Sequence, residues 1–394
     1  MTTRSIAIIA FTLLLMGTTL GLAGTDLVLP AVPSLPGALG GSPALAQLVL
    51  AAFVAGAGLG LVAFGELGAR FDPRLLLIGS LAAYASISAL CALAPTLELL
   101  VALRFLQGLT GAAAAVFAPG MIRQLFEERS AVRAIGLLAS VESLVPALAP
   151  IAGVWLLHAF GWQGNFLTLA VLAGAVAIAV LVLKDRLPEP QARSLTGGYG
   201  RLLADPVYLR YALSHAATLG ALLTFVFGAP AVITGPLEGT LADFVTMQVT
   251  GIAFFILGAN LAGWLADRFG PETMILAGSA LSALGALAIL AYAVAGGREP
   301  LVIVALFVPM NLGLGFRGPP GFYKAVVASR GDDARGAGLL LLIVLLVAAG
   351  GTAAAAPFIT QGLAPLALAA AAVSGLSVVL LVALPRLEAE AGGA

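Results

Sequence analysis

The stretch GELGARFDPR, residues 65–74, returns as GWLADRFGPE at residues 263–272, with five of ten positions identical at an offset of 198, about half the chain. Each copy follows a long apolar run and precedes another, so both fill the same kind of polar break. Matched breaks after matched runs imply a tandem duplication. The fold then depends on what the runs are and how many lie in each half.

Of 394 residues 61% are hydrophobic and only 10% are charged, with a mean hydropathy of +1.08. Soluble domains carry roughly 25% charge, so this composition belongs to a chain that crosses a membrane many times. A bilayer core takes about 20 apolar residues per helix. Cutting at charged and Pro/Gly-rich breaks places spans at 5–29, 44–68, 75–94, 99–120, 134–157 and 164–183, then at 208–233, 242–266, 272–296, 300–325, 337–360 and 364–384. The expectation is an all-α membrane protein of twelve transmembrane helices in two six-helix halves, 1–184 and 208–394. The halves are joined by a linker at 185–207 within KDRLPEPQARSLTGGYGRLLADP. As parallel repeats, they would be related by an axis along the membrane normal. The run after Arg4 exceeds the roughly 7 to 15 residues of a signal h-region and is read as an uncleaved first span.

Orientation follows from lysine and arginine. With the N-terminus inside, sixteen of the nineteen basic residues fall on the cytoplasmic side; Arg298 falls outside, and Arg104 and Arg317 fall within spans. Both termini are therefore expected in the cytoplasm. Zero net charge and the absence of a basic run give nothing to attract nucleic acid. One cysteine, Cys91, excludes an intramolecular disulfide framework, and two histidines with six scattered methionines argue against a metal site. No GKS/T loop, HExxH pair or nucleophile motif supports a membrane-embedded enzyme, and a passive channel would not need the duplicated loop.

The charges inside spans carry the functional reading. In LVALRFLQGLTGAAAAV, residues 100–116, Arg104, Gln107, Gly108 and Gly111 share one helix face. Small residues let a neighbouring helix approach and turn the polar pair into the bundle; an outward-snorkelling or merely bracing arginine is the alternative. In SVESLVPALAPIAGVW, residues 140–155, Glu142, Pro146, Pro150 and Gly153 lie along one side of the fifth helix. Two prolines four apart free backbone carbonyls, which is tolerable where protein or a water-filled cavity satisfies them, so Glu142 is expected to face a central cavity. Thr12, Thr19 and Asp26 recur at sevens along the first helix, with Asp26 either in the site or at the wet helix end. The tenth span ends in NLGLGFRGPPGFYK, residues 311–324, where a break in the helix around Arg317 is expected. Arg317 then lies either at a binding site built from freed backbone groups or at the cytoplasmic surface. His215 is the other ionisable group within reach of the cavity, packed or titrating.

These motifs resemble the major facilitator superfamily, and within it the twelve-helix drug:proton antiporters of the bicyclomycin resistance (Bcr/CflA) type. The 100–116 stretch is similar to that superfamily's helix 4 motif, with Arg104, Gln107 and Gly108 on its Arg, Gln and Gly positions. PALAPIAGV resembles the antiporter motif of helix 5, with Val154 where its last glycine falls, and TDLVLPAVP resembles the subfamily segment TDxYLPALP, whose acid is Asp26. Of the loop motif GxLaDRxGRR, the second copy keeps Gly263, Leu265, Asp267, Arg268 and Gly270. The first copy has Ala69 at the acid, which leaves Glu66 and Asp72 as candidates to replace it. Glu142 and Arg317 have no counterpart in the subfamily pattern.

The resemblance implies a proton-coupled secondary transporter of the bacterial inner membrane, exporting a small organic molecule by alternating access, with no cofactor beyond the proton gradient. It is expected to act as a monomer, its partners being a small-molecule substrate, protons and the lipid bilayer. Asp26, Arg104 and Glu142 are expected in proton coupling; Arg317, His215 and Gln107 at the substrate; Asp267, Arg268, Gly263, Pro146, Pro150 and Gly153 in gating. The alternative is a proton-coupled importer or a carrier of a small anionic metabolite.

Overall fold

Prolines and short polar side chains punctuate the apolar runs and mark where helices begin. The computed structural model describes residues 3–188 and 198–387. Helix α1 spans Thr3–Asp26, α2 Pro43–Arg70 and α3 Pro73–Ala92. Leu97–Gly111 continues as Ala113–Leu125 and together they form α4. The 55-residue helix Glu128–Val182 is interrupted at Gly161, and its two limbs are α5 and α6. The second set comprises α7 Pro206–Thr234, α8 Leu241–Phe269, α9 Pro271–Val294, α10 Pro300–Ala328, α11 Asp333–Ala355 and α12 Leu363–Ala383. Proline opens α2, α3, α7, α9 and α10, where its missing N–H is one the helix leaves unpaired anyway. Thr96 and Asp205 cap α4 and α7, and Thr240 with Asp243 forms a capping box on α8.

Among the described residues, eleven helices are long and apolar enough to cross a membrane. The 55-residue one would measure about 80 Å, more than twice a bilayer core, so it is two crossings. Its break needs a single residue: Gly161 sits at φ +69°, a conformation glycine adopts at little cost. The expected interruption over 158–163 thus contracts to that glycine, and the crossings number twelve.

The tenth helix corrects the expectation of a break. α10 runs unbroken through Gly313, Gly315, Pro319 and Pro320. Its glycines serve close packing: a Cβ on Gly313 would overlap Ser282 of α9, and one on Gly315 would stand 2.6 Å from the Phe255 carbonyl of α8. Packing on two sides holds the helix, although Pro319 and Pro320 remove two backbone donors.

Two compact units emerge. The first comprises Met1–Glu127, Val141–Gly198 and Gly331–Leu339; the second comprises Glu128–Ser140, Tyr199–Arg330 and Leu340–Ala394. The opening turns of α5 thus cluster with the second unit and those of α11 with the first. Part of the expected linker, 189–197, lies outside the described residues, as do the chain ends. Large side chains left exposed, such as Trp155, Val171, Val182 and Val382, suit acyl chains as apolar as themselves.

Candidate functional site

In the first unit, glycines bring α2 and α4 into backbone contact. A Cβ on Gly108 would overlap the Phe53 carbonyl, and one on Gly56 or Gly60 would overlap the carbonyls of Phe105 or Leu109. Against this seam Arg104 is fully buried. Its Nε donates to the Val49 carbonyl at 3.1 Å and its Nη1 to Gln107 Oε1 at 2.6 Å. The guanidinium lies 4.3 Å from the centre of the Phe53 ring and 5.8 Å from that of Phe166. Gln107 Nε2 donates to Ser88 Oγ at 2.6 Å, and Ser88 donates to the Tyr84 carbonyl at 2.7 Å. Neutral acceptors and ring faces therefore hold the charge, and the snorkelling alternative falls away. Gln107, expected at the substrate, is itself buried and accepts from Arg104.

The two acids of this unit stand apart. Glu142 on α5 is within hydrogen-bonding reach of Thr18 on α1, while Asp26 is the last residue of α1, eight residues or about 12 Å further along the axis. Neither forms an ion pair among the described residues, and Arg104 pairs with neither. Pro146 and Pro150 lie inside the α5 limb. Gly153 lets it meet α1, since a Cβ there would overlap the Leu27 carbonyl and approach Pro30. The motif glycine thus seats the segment that follows Asp26.

Ion pairs gather at the basic helix ends. In the first unit Arg123 of α4 meets Asp333 of α11 at 2.6 Å, and Gly120 leaves room for that aspartate. Glu66 of α2 binds Arg335 of α11 at 2.7 Å and Arg70 at 2.5 Å, and Arg335 also holds Asp332 at 3.1 Å. Asp72 instead turns to its own helix: it caps α3 at the Arg74 amide and pairs with the Arg74 guanidinium at 3.0 Å. Burial raises its carboxyl, but the Arg74 hydrogen bonds outweigh that and hold it below the usual carboxylate range.

In the second unit Asp267 of α8 meets Arg129 at short range and Arg133 at 3.1 Å, both on α5. A Cβ on Gly263 would strike the Arg133 stem, so that motif glycine makes room for the arginine that reaches the motif acid. Lys324 of α10 pairs with Glu128 at 3.0 Å. Arg268, expected in the gate, stays exposed over Phe269 and pairs with no acid among the described residues. Deeper in this unit Arg317 and His215 are both buried. Arg317 Nη2 donates to Ser214 Oγ at 3.0 Å, and the His215 ring lies edge-on to Phe322 at 5.4 Å. Arg317 is thus inside the protein and not at its surface.

Sequence reading missed Arg335 and Arg133 as partners of the loop acids. The signal was present: RAIGLL at 133–138 returns as RGAGLL at 335–340, four of six positions identical. Arg133–Asp267 and Arg335–Glu66 are matched contacts, each with its arginine in one half of the sequence and its acid in the other.

Two six-helix sets, a duplicated loop whose acids meet arginines of matched helices, and a buried arginine on α4 define a multi-span membrane protein built on a repeated plan. The family model for the Major Facilitator Superfamily matches residues 14–339, and the chain belongs to that superfamily: it is a transporter. It is 28% identical over 269 residues to the "Chloramphenicol resistance protein" of Pseudomonas aeruginosa, covering 67% of this chain and 64% of that one. It is 24% identical over 261 residues to the "Multidrug resistance protein MdtL" of Escherichia coli O157:H7 strain EC4115, covering 66% of this chain and 67% of that one. Among solved structures, the Major Facilitator Superfamily transporter FucP superposes with a TM-score of 0.73 at 16% identity, over 95% of this chain and 98% of the other.

Proposed function

We propose that this transporter is a drug:proton antiporter of the bicyclomycin resistance type that expels small organic molecules across the bacterial cytoplasmic membrane, acting as a monomer with both termini inside. The observation that carries the reading is the charge layout of the first unit. Asp26 and Glu142 lie in spans and form no ion pair among the described residues, in a unit whose buried arginine, Arg104, is held by neutral groups. A carboxylate with no permanent counter-ion is free to take its neutralising proton from the gradient and release it again, which is the chemistry an antiporter needs. The drug-resistance names of the relatives support export, and the basic helix ends support the orientation. No cofactor enters; the proton gradient supplies the energy.

The ion pairs at the basic ends fit the gate of such a cycle. Formed, they hold the inner ends together; broken, they release the alternate state. Inside-out vesicles test the whole reading. With an acid lumen, chloramphenicol should accumulate inside and dissipate the pH gradient, and a protonophore, by collapsing the gradient beforehand, should abolish the accumulation. Accumulation only in right-side-out vesicles would mean import, and accumulation unaffected by the protonophore would remove proton coupling.

A further inference from the structure

Of the two arginines with no exposed surface, Arg104 and Arg317, Arg317 is the less satisfied. Its exposure is 0%, yet Nε and Nη1 have no acceptor among the described residues, and Nη2 has only the Ser214 hydroxyl. Among the described residues no aromatic face covers it, in contrast to Arg104. Acids of the second unit that form ion pairs are engaged elsewhere: Asp205 with Arg330, Glu128 with Lys324, Asp267 with Arg129 and Arg133, and Glu272 with Arg210. A buried cation without a counter-ion is strongly destabilising, so its balance has to come from outside the chain.

The surroundings are shaped for the guanidinium and supply donors. The head lies over Gly321, where a Cβ would stand 3.1 Å from Nη2 and 3.3 Å from Cζ, and the stem passes Gly278, where a Cβ would stand 2.8 Å from Arg317 Cβ. Two glycines on different helices thus clear the seat. His215 is close enough to feel the Arg317 charge, and its Nδ1 has no partner among the described residues. In the tautomer that protonates Nδ1, the ring adds a donor. Donors without an acidic acceptor select an anion over a cation.

We propose that Arg317, supported by Ser214 and His215, forms a binding site within the second unit for a compact monovalent anionic group, supplied either by a free halide or by the carboxylate of a transported molecule. The site goes beyond the export reading and is measured without transport. The experiment follows thermal unfolding of the purified full-length chain while sodium chloride or sodium acetate replaces sodium gluconate at constant ionic strength. Binding to the native state should raise the midpoint saturably. A rise with chloride assigns the site to a free ion. A rise with acetate and none with chloride assigns it to the acid group of a transported molecule. Arg317→Met should remove the dependence, Arg317→Lys should weaken it, and Ser214→Ala should lower the apparent affinity about fivefold through the lost hydrogen bond. Should Arg317→Met fail to fold, Gly321→Ala displaces the guanidinium and should still shift the affinity. A midpoint equal in all three salts, or a rise that persists unchanged in Arg317→Met and Gly321→Ala, overturns the proposal.

Discussion

Each unit carries one copy of the loop motif, and the two differ in where they keep their charges. The first holds Arg104 among neutral groups and carries Glu142 deep within a span, with Asp26 at the end of α1. The second holds Arg317 by one hydroxyl, and the acids of its helices lie within four residues of a helix end. At the basic ends the contrast reverses into likeness. Asp267 meets Arg133, Glu66 meets Arg335, and the two arginines occupy matched positions. Yet the acids do not match, because Glu66 aligns with Trp264 and Asp267 with Ala69. A helix brings residues three apart onto one side, so an acid lost at one position is replaced by one nearly a turn earlier. What duplication preserved at this end is the contact, while the interiors diverged; the roles proposed for them are proton exchange in the first unit and anion binding in the second.

The largest effect is expected at Arg104. Removing it takes the arginine donor from Gln107 Oε1 and empties a fully enclosed seat, and in proteoliposomes Arg104→Ala should cut proton-driven transport about a hundredfold, the upper range of coupling between two sites. The variant should still insert and elute as a single species. Near-normal transport would mean that the first unit's arginine only braces α2 against α4.

Glu142→Gln should separate the units next. With the carboxylate gone, substrate binding by calorimetry should persist while gradient-driven accumulation ends. If accumulation survives, Glu142 is structural and the asymmetry in span acids has no bearing on protons.

The basic ends should respond more mildly. Asp267→Asn releases two arginines from partly exposed pairs worth about 1 kcal/mol together, which shifts a two-state equilibrium about fivefold to tenfold. Glu66→Gln should lower transport by a similar factor, and adding Ala69→Asp to it should restore part of the loss by placing the acid where the second copy has it. Failure of both arms would leave the Glu66–Arg335 pair a crossing of side chains without a role in the cycle.

How far these contacts were legible in the sequence depends on their range. The twelve spans were readable because a bilayer demands runs of apolar residues, and the likeness of 65–74 to 263–272 set the two-half plan. Burial of Arg104 was readable from Gly108 and Gly111 beside it. The Glu66–Arg335 pair was not, because 269 residues separate its members and Arg335 counts only as one more basic residue in a loop. The tenth helix was misread for the opposite reason. Local rules assign Gly313 and Pro319 to a break, whereas α8 and α9 pack against those glycines and keep the helix whole.

The smallest effect belongs to Asp72, the acid nearest in sequence to the missing motif position. Its carboxylate is spent within its own helix start, on the Arg74 amide at 2.8 Å and the Arg74 guanidinium at 3.0 Å. Asparagine is also a good N-cap, so Asp72→Asn keeps the amide contact and loses only the charge, for less than about 1 kcal/mol. The sign with pH follows from the depressed carboxyl. Stability from this group is present above its ordinary value of 3.8 and is lost only as pH falls through the lower folded value, so it is complete at neutral pH. Asp72→Asn should therefore transport within about twofold of the parent at pH 7, and its unfolding midpoint should converge on the parent's as the pH is lowered below that value. A transport loss as large as that of Glu66→Gln would move the first repeat's gate to Asp72, and the one-turn replacement by Glu66 would be wrong.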